Sequence, residues 1–95
     1  MAITLLFEPK AGADAQYDSV INALKDQGMW PPEGLTYQVA SGAGADFKVF
    51  EVWESEQDAL NFGERLKPVL QKYKIELSSE PRPQPVKNAI KGKSL

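Results

Sequence analysis

The sequence predicts an α+β domain of four strands and two helices. Apolar and polar residues alternate over several short segments, which is typical of strands, and apolar residues recur every three or four positions over two longer segments, which is typical of amphipathic helices. Gly- and Pro-rich stretches separate these segments, as turns do. With 95 residues, 42% of them hydrophobic and 25% charged, the chain has the size and composition of one globular domain. We expect residues 1–95 to form it, with residues 91–95 as a frayed tail.

The first strand and the first helix are predicted in the N-terminal third of the chain. Residues 2–8 alternate as a strand does, and Pro9 closes it. Asp14 is a suitable N-cap for a helix, and Gly28 suits the helix's C-terminal end. Between them the predicted apolar face of the helix consists of Tyr17, Val20, Ile21 and Leu24. In the Pro-rich turn that follows, we expect Trp30 to pack at the domain's edge or on a partner subunit.

A hairpin is predicted next, with strands at residues 35–41 and 46–53 joined by Gly42, Ala43 and Gly44. A Gly-rich loop can also cradle a phosphate, but such a loop leads from a strand into a helix N-terminus. This loop joins two strands, so the hairpin interpretation is favoured.

The second helix is predicted to start at Ser55, which can accept a backbone N–H as N-cap. Pro68 lacks the N–H that a helix interior needs, and we expect a kink or a restart there. The Pro- and Ser-rich residues 78–85 then form a connector, and residues 86–90 form a short last strand. The apolar stripe of the helix consists of Ala59, Phe62, Leu66, Val69 or Leu70, and Tyr73.

The order strand, helix, strand, strand, helix, strand is that of the ferredoxin-like βαββαβ fold. Right-handed crossovers place both helices on one face of a four-stranded antiparallel sheet. The third strand carries large apolar groups on both of its faces, so the sheet face without helices is also apolar. Such a face normally marks an interface or a cavity. We therefore expect a homodimer in which the two sheets face each other.

The cost of burying charge indicates which face of the third strand lies under the helices. An unpaired buried carboxylate costs several kcal/mol, on the order of the full desolvation penalty of the ion. Burying Phe50 or Val52 contributes roughly 1.5–3 kcal/mol each. We expect Phe50 and Val52 under the helices, and Glu51 and Trp53 on the opposite side, towards a cavity or the dimer interface.

Glu51 is the candidate catalytic residue, because a carboxylate surrounded by apolar groups has a raised pKa and can act as an acid or base. The alternative is that it pairs with a Lys or Arg. Gln38, Trp53 and Lys87 are candidate ligand-binding residues: Gln38 as a hydrogen-bonding group, Trp53 as a wall, and Lys87 as a counter-charge for Glu51. The alternatives are a surface or interface role for Gln38 and core packing for Trp53. The patterns around Tyr17 and Tyr37 are those of core packing.

The composition excludes several kinds of chemistry. Cysteine and histidine are both absent, which rules out disulfides, thiol nucleophiles, Cys/His zinc sites and a Ser-His-Asp triad. We expect no cofactor and no metal site. The net charge of −2 argues against nucleic acid and membrane partners. No apolar run approaches the ~20 residues of a membrane span, and residues 2–7 lack the features of a signal peptide, so a cytoplasmic location is expected.

Four segments of the chain resemble the dimeric α+β barrel superfamily, which includes antibiotic biosynthesis monooxygenases and stress-responsive barrel proteins. They are AQYDSVINAL, PPEGLTYQVA, DFKVFEVWESEQDALNFGERLKPVL and PVKNAI, and the strongest part is VFEVWESEQDALNF. Within that superfamily the chain is similar to an uncharacterised bacterial subgroup. The resemblance implies a ferredoxin-like protomer, a homodimer, and a pocket between sheet and helices.

Some members of the superfamily oxidise polycyclic phenols with molecular oxygen and no cofactor, and others degrade haem. Relatives in the subgroup often carry a His where Gln38 stands and another near Lys87. Because this chain has no His, the haem-degrading branch is not expected. Many other members have no known activity. The leading hypothesis from the resemblance is a cofactor-independent, monooxygenase-like enzyme for a small aromatic substrate. The alternative is a non-catalytic homodimer that binds a small ligand or serves a stress response.

Overall fold

The computed structural model describes residues 1–93 and shows an α+β domain. Its elements in chain order are β1 (Ile3–Phe7), α1 (Tyr17–Asp26), β2 (Leu35–Ser41), β3 (Lys48–Trp53), α2 (Glu56–Lys72) and β4 (Gln84–Pro85), with 3-10 turns at Ala13–Gln16 and Gly44–Asp46. The strands form one antiparallel sheet in the order β2-β3-β1-β4. This arrangement is compatible with a ferredoxin-like fold. Among the described residues no helix is long and apolar enough to cross a bilayer.

The core lies between the sheet and the two helices. Ile3 of β1 and Trp53 of β3 belong to the same buried cluster as residues of both helices, so α1 and α2 cover one face of the sheet, as predicted. The indole of Trp53 stacks at a tilt on the ring of Phe62, with 5.6 Å between ring centroids. The helical members of the cluster are Val20 and Leu24 of α1, and Ala59, Phe62 and Val69 of α2.

Helix α1 begins later than its predicted cap. A 3-10 turn occupies residues 13–16, and the Asp14 carboxylate accepts a hydrogen bond from the Gly44 backbone N–H at 2.9 Å. The prediction that Asp14 caps the helix is wrong, because this side chain holds the β2–β3 loop instead. Gly28 follows the end of the helix with φ +72°, as expected for a glycine at that position.

Helix α2 begins as predicted. Ser55 is its N-cap and accepts the Asp58 backbone N–H at 3.1 Å, and Glu56 and Asp58 place negative charge in the first turn. The predicted restart at Pro68 does not occur, because the helix continues past that residue to Lys72. Trp30 packs in the fringe of the core against Phe62, with 6.3 Å between ring centroids.

The last strand differs from the prediction. Residues 84–85 pair with β1 and form the last strand. The prediction that this strand occupies residues 86–90 is therefore wrong. Residues 76–78 also pair with residues 8–10, which follow β1. The backbone N–H of Lys10 donates to the carbonyl oxygen of Glu76, and the backbone N–H of Ser78 donates to the carbonyl oxygen of Glu8, both at 2.8 Å. The connector between these two contacts stands beside the edge of the sheet. The predicted frayed tail at residues 91–95 lies partly outside the described residues.

The face assignment of β3 is the main correction. Glu51 and Trp53 are 3% and 1% exposed and lie under the helices, while Phe50 is 41% exposed on the other face. The cost argument assumed that a buried Glu51 would lack hydrogen-bond partners. In the structure the carboxylate has two, which offset part of the cost that favoured the opposite orientation.

The face of the sheet without helices is apolar and exposed. Leu6 of β1 and Val39 of β2 are both register partners of Phe50, so these three side chains form a row across three strands. All three are among the exposed large hydrophobic residues. In the next row Val52 lies between Thr4 and Tyr37.

Candidate functional site

Glu51 lies at the middle of the sheet, directly beneath the helices. Among residues 1–93, Glu51 is the one charged residue that is buried. Its strand β3 is flanked by β1 on one side and β2 on the other, so Glu51 lies on an inner strand of the sheet. A carboxylate in such a place needs partners on its own face of the sheet.

Two neighbours on that face supply the hydrogen bonds. Gln38 is the cross-strand register partner of Glu51, and its Nε2 donates to Oε2 of Glu51 at 2.8 Å. Trp53 is two residues further along β3 and therefore on the same face, and its Nε1 donates to Oε1 at 2.9 Å. Each carboxylate oxygen thus has one donor and keeps a second lone pair.

Tyr17 of α1 extends this network. Its hydroxyl donates to Oε1 of Gln38 at 2.5 Å, which orients the Gln38 amide so that its nitrogen faces Glu51. The ring of Tyr17 packs edge-on against Phe47, with 5.8 Å between centroids. Helix α1 and strands β2 and β3 therefore all contribute to holding one carboxylate. We call Tyr17, Gln38, Glu51 and Trp53 the Glu51 network.

The environment changes the proton affinity of both acids in the network. Burial raises the pKa of Glu51 above its usual 4.5, and the hydrogen bonds from Gln38 and Trp53 oppose that rise without cancelling it. Burial also raises the pKa of Tyr17, with smaller contributions from the charges of Glu51 and Asp18. Within the described part of the chain, Glu51 forms no salt bridge. The buried carboxylate is thus stabilised by neutral donors only.

A groove of about 520 Å³ reaches Glu51 and Trp53 from one side of α2. Its apolar floor includes Ile3, Leu5 and Phe7 of β1, and its opposite wall includes Phe62 and Leu66 of α2. The connector between α2 and β4 forms the outer wall, and exposed charged residues stand at the rim. These rim residues are Glu56, Glu64, Lys67 and Glu80.

A second and smaller cavity, of about 80 Å³, lies on the other side of α2. Residues of α1, α2 and the sheet line it, and Tyr17, Gln38 and Glu51 belong to its lining. Glu51 is therefore shared by the groove and the small cavity.

Three of the four predicted site residues lie together. Gln38, Glu51 and Trp53 are joined by hydrogen bonds, although they lie under the helices and not on the predicted side of the sheet. Lys87 is exposed, follows β4, and lines neither of the two cavities.

The pattern-based prediction treated Tyr17 as a core residue and so missed its hydrogen bond. Its position on the apolar stripe of α1 gives no signal for that bond, which depends on how α1 crosses β2. Tyr37, the other tyrosine considered, is 42% exposed on the face of the sheet without helices.

Among residues 1–93 no group of three or more His, Cys, Asp or Glu side chains is placed to hold a metal ion. In comparisons with known proteins, no family model, curated protein or solved structure matches the chain.

Proposed function

We propose that this protein is a cofactor-independent, monooxygenase-like enzyme of the dimeric α+β barrel superfamily, with a small aromatic substrate bound in the groove beside Glu51. The observation that carries the proposal is the buried carboxylate with neutral hydrogen-bond donors and a raised pKa, placed in the wall of a groove of about 520 Å³. Grooves of ~300–1,000 Å³ are typical of small-molecule sites.

Glu51 is the base in this proposal. A phenol that transfers its proton to Glu51 becomes a phenolate while the carboxyl group becomes neutral, so the site holds one negative charge before and after the transfer. Because burial already disfavours the ionised carboxylate, the transfer costs less than it would to an exposed carboxylate of ordinary pKa.

The electron-rich phenolate then reacts with dioxygen. A phenol and one molecule of dioxygen give a quinone and one molecule of water: one oxygen atom enters the ring, the other leaves as water, and the substrate supplies all four electrons. No reductant is consumed. Trp53 forms a wall of the groove and fixes one oxygen of Glu51, and Gln38 fixes the other.

A second candidate function is binding without catalysis. The specific observation in its favour is that the polar groups of the Glu51 network satisfy one another, as a structural network does. In that case the protein is a homodimer that binds a small apolar ligand in the groove, and the carboxylate only positions Trp53.

Oxygen uptake with a panel of polycyclic phenols and quinols separates the two candidates. The first candidate predicts uptake by the wild type and a large loss in Glu51→Gln, which keeps the shape of the side chain but cannot accept the proton. Glu54→Gln is the matched control, because it removes an exposed carboxylate three residues along the chain. Ligand binding without uptake by any of the proteins supports the second candidate, and equal uptake by wild type and Glu51→Gln contradicts the first.

A homodimer is part of both candidates. The exposed apolar row of Leu6, Val39 and Phe50 supports it, because apolar side chains concentrated on one face of a sheet are covered in stable proteins. Two such faces can meet about a two-fold axis, which gives each protomer the same contacts.

A further inference from the structure

We propose that the small cavity between α1, α2 and the sheet is a binding site for dioxygen. It lies on the opposite side of α2 from the groove, and Glu51 borders both. The assignment of this gas rests on the proposed oxygenase function, whereas the affinity of the cavity for an apolar gas rests on its geometry alone.

The size of the cavity fits a diatomic molecule. Its volume of about 80 Å³ exceeds the ~10–15 Å³ that one water-sized molecule needs by a comparable measure, and it falls far below the ~300 Å³ of a drug-sized ligand site. An aromatic substrate therefore fits the groove and not this cavity.

The chemistry of the wall fits an apolar molecule. Three polar side chains belong to the lining, but the Tyr17 hydroxyl donates to Gln38, and the Gln38 amide donates to Glu51. These bonds use the Tyr17 hydroxyl proton and one of the two amide protons of Gln38. The rest of the lining is dominated by aliphatic and aromatic side chains, among them Val20, Leu24 and Val49. Cavities with apolar walls stay dry and take up apolar molecules or gases.

The placement gives the gas a role. A substrate in the groove and dioxygen in the small cavity lie on the two sides of α2, and both adjoin Glu51. Phe62, Leu66 and Leu70 of α2 line both spaces, as do Phe7, Ile75 and Leu77, so a single layer of side chains lies between them. Dioxygen can thus be held next to the substrate without competing for the groove.

The test uses the paramagnetism of dissolved dioxygen, which speeds the relaxation of nearby methyl protons in NMR. Without a cavity, this effect follows exposure to solvent, so the methyl groups of exposed Met1 and Ile90 relax fastest. The proposal predicts the reverse: severalfold stronger oxygen-induced relaxation at Val20, Leu24 and Val49, with dinitrogen at the same pressure as the diamagnetic control. Relaxation that follows solvent exposure overturns the proposal.

A pair of alanine variants localises the effect. Ala13 and Ala59 are both 7% exposed; Ala13 lines the small cavity, whereas Ala59 lines the groove. Ala13→Leu should abolish the excess relaxation, that is, the stronger oxygen-induced relaxation of the cavity methyl groups. Ala59→Leu should leave it unchanged. If Ala13→Leu does not fold, Ile21→Phe fills the same cavity from a half-buried position. Excess relaxation that survives in a folded cavity-filling variant overturns the assignment.

Kinetics then connect the cavity to turnover. In a wild type that consumes oxygen, the cavity-filling variant should raise the KM for dioxygen severalfold and leave the KM for the phenol unchanged. An unchanged KM for dioxygen overturns the catalytic role of the cavity. The relaxation measurement needs no turnover, so failure of the oxygenase proposal and failure of the gas site give different results.

Discussion

Glu51 shows how a buried charge can be stabilised without a counter-ion. Its two oxygens accept hydrogen bonds from the Gln38 amide and the Trp53 indole, and the described residues give it no salt bridge. Neutral donors compensate only part of the lost hydration, which is why burial still raises the pKa of Glu51. The buried carboxylate therefore lowers the stability of the fold wherever it is ionised.

That cost predicts a dependence of stability on pH. Because the pKa of Glu51 is raised in the folded state, the unfolded chain loses the proton first as the pH rises above 4.5. The free energy of unfolding therefore falls as the pH rises from the unfolded pKa through the raised folded pKa. Glu51→Gln should remove this fall, so the stability of the variant relative to the wild type should rise as the pH increases above 4.5.

Urea denaturation at a series of pH values, at one protein concentration, measures this difference. Glu54→Gln is the control, since it removes a carboxylate from an exposed position nearby. A stability difference between wild type and Glu51→Gln that stays the same at every pH would show that Glu51 has the same proton affinity in the folded and unfolded states.

The orientation of Glu51 could not be predicted from the sequence for a specific reason. Both faces of β3 carry large apolar groups, so the decision depended on whether a buried carboxylate would find partners. The partner Gln38 is set by the register of β2 and β3. That register depends on the length of the loop, which the 3-10 turn Gly44–Asp46 extends beyond the predicted three residues.

At the level of the elements, local chemistry predicted more than long-range pairing did. The bounds of β2 and the Ser55 cap of α2 were predicted correctly, because each depends on neighbouring residues. Asp14 was misassigned because its partner is the Gly44 N–H, 30 residues away in sequence. The β4 strand was misplaced because Pro85 was counted against pairing, although an edge strand tolerates proline.

Two glycines at α2 should respond in opposite ways to alanine. Gly34 has φ +88°, and an added Cβ would lie 2.5 Å from the Asp58 side chain in the first turn of α2. Gly63 lies inside α2, and a Cβ there meets no atom within 4 Å. We expect Gly34→Ala to destabilise the protein by on the order of 2 kcal/mol and Gly63→Ala to stabilise it by up to ~1 kcal/mol.

Urea denaturation of both variants at neutral pH provides the measurement. Both variants replace glycine by alanine, so the conformational entropy that alanine removes from the unfolded chain is the same in both. Equal effects of the two substitutions would contradict the close approach of Gly34 to Asp58, and with it the observed junction between the start of β2 and α2.

On the scale of the whole molecule, the two faces of the sheet have different roles. One face carries the helices, the core and the Glu51 network, and the other presents Leu6, Val39 and Phe50 to the outside. Both faces were predicted to be apolar. The sequence-based prediction placed Phe50 under the helices and Glu51 on the opposite face, whereas the structure shows the opposite arrangement. The proposed homodimer covers the second face and leaves the groove in each protomer intact.

The dimer proposal predicts the effect of a charge on the open face. Phe50→Lys places a cation in the apolar row and, across a two-fold axis, close to its own copy, so it should dissociate the dimer. Leu60→Lys is the matched control, because Leu60 is an exposed leucine on α2, 55% accessible, and away from the sheet.

Sedimentation at micromolar concentration distinguishes the two variants. The wild type and Leu60→Lys should sediment at twice the chain mass of 10.5 kDa, and Phe50→Lys at the chain mass itself. A wild type that sediments as a single chain would remove the dimer from the proposal, but it would leave the Glu51 network and its groove in place.

The protonation state of the Glu51 carboxyl group is central to the proposed function, and carbon-13 NMR of a glutamate-labelled protein measures it directly. The signal is assigned by its loss in Glu51→Gln. We predict a pKa above the usual 4.5, and a shift of this signal, more than of other glutamates, when a polycyclic phenol saturates the protein. An ordinary pKa, together with a Glu51 signal that the phenol leaves unchanged, would contradict the account.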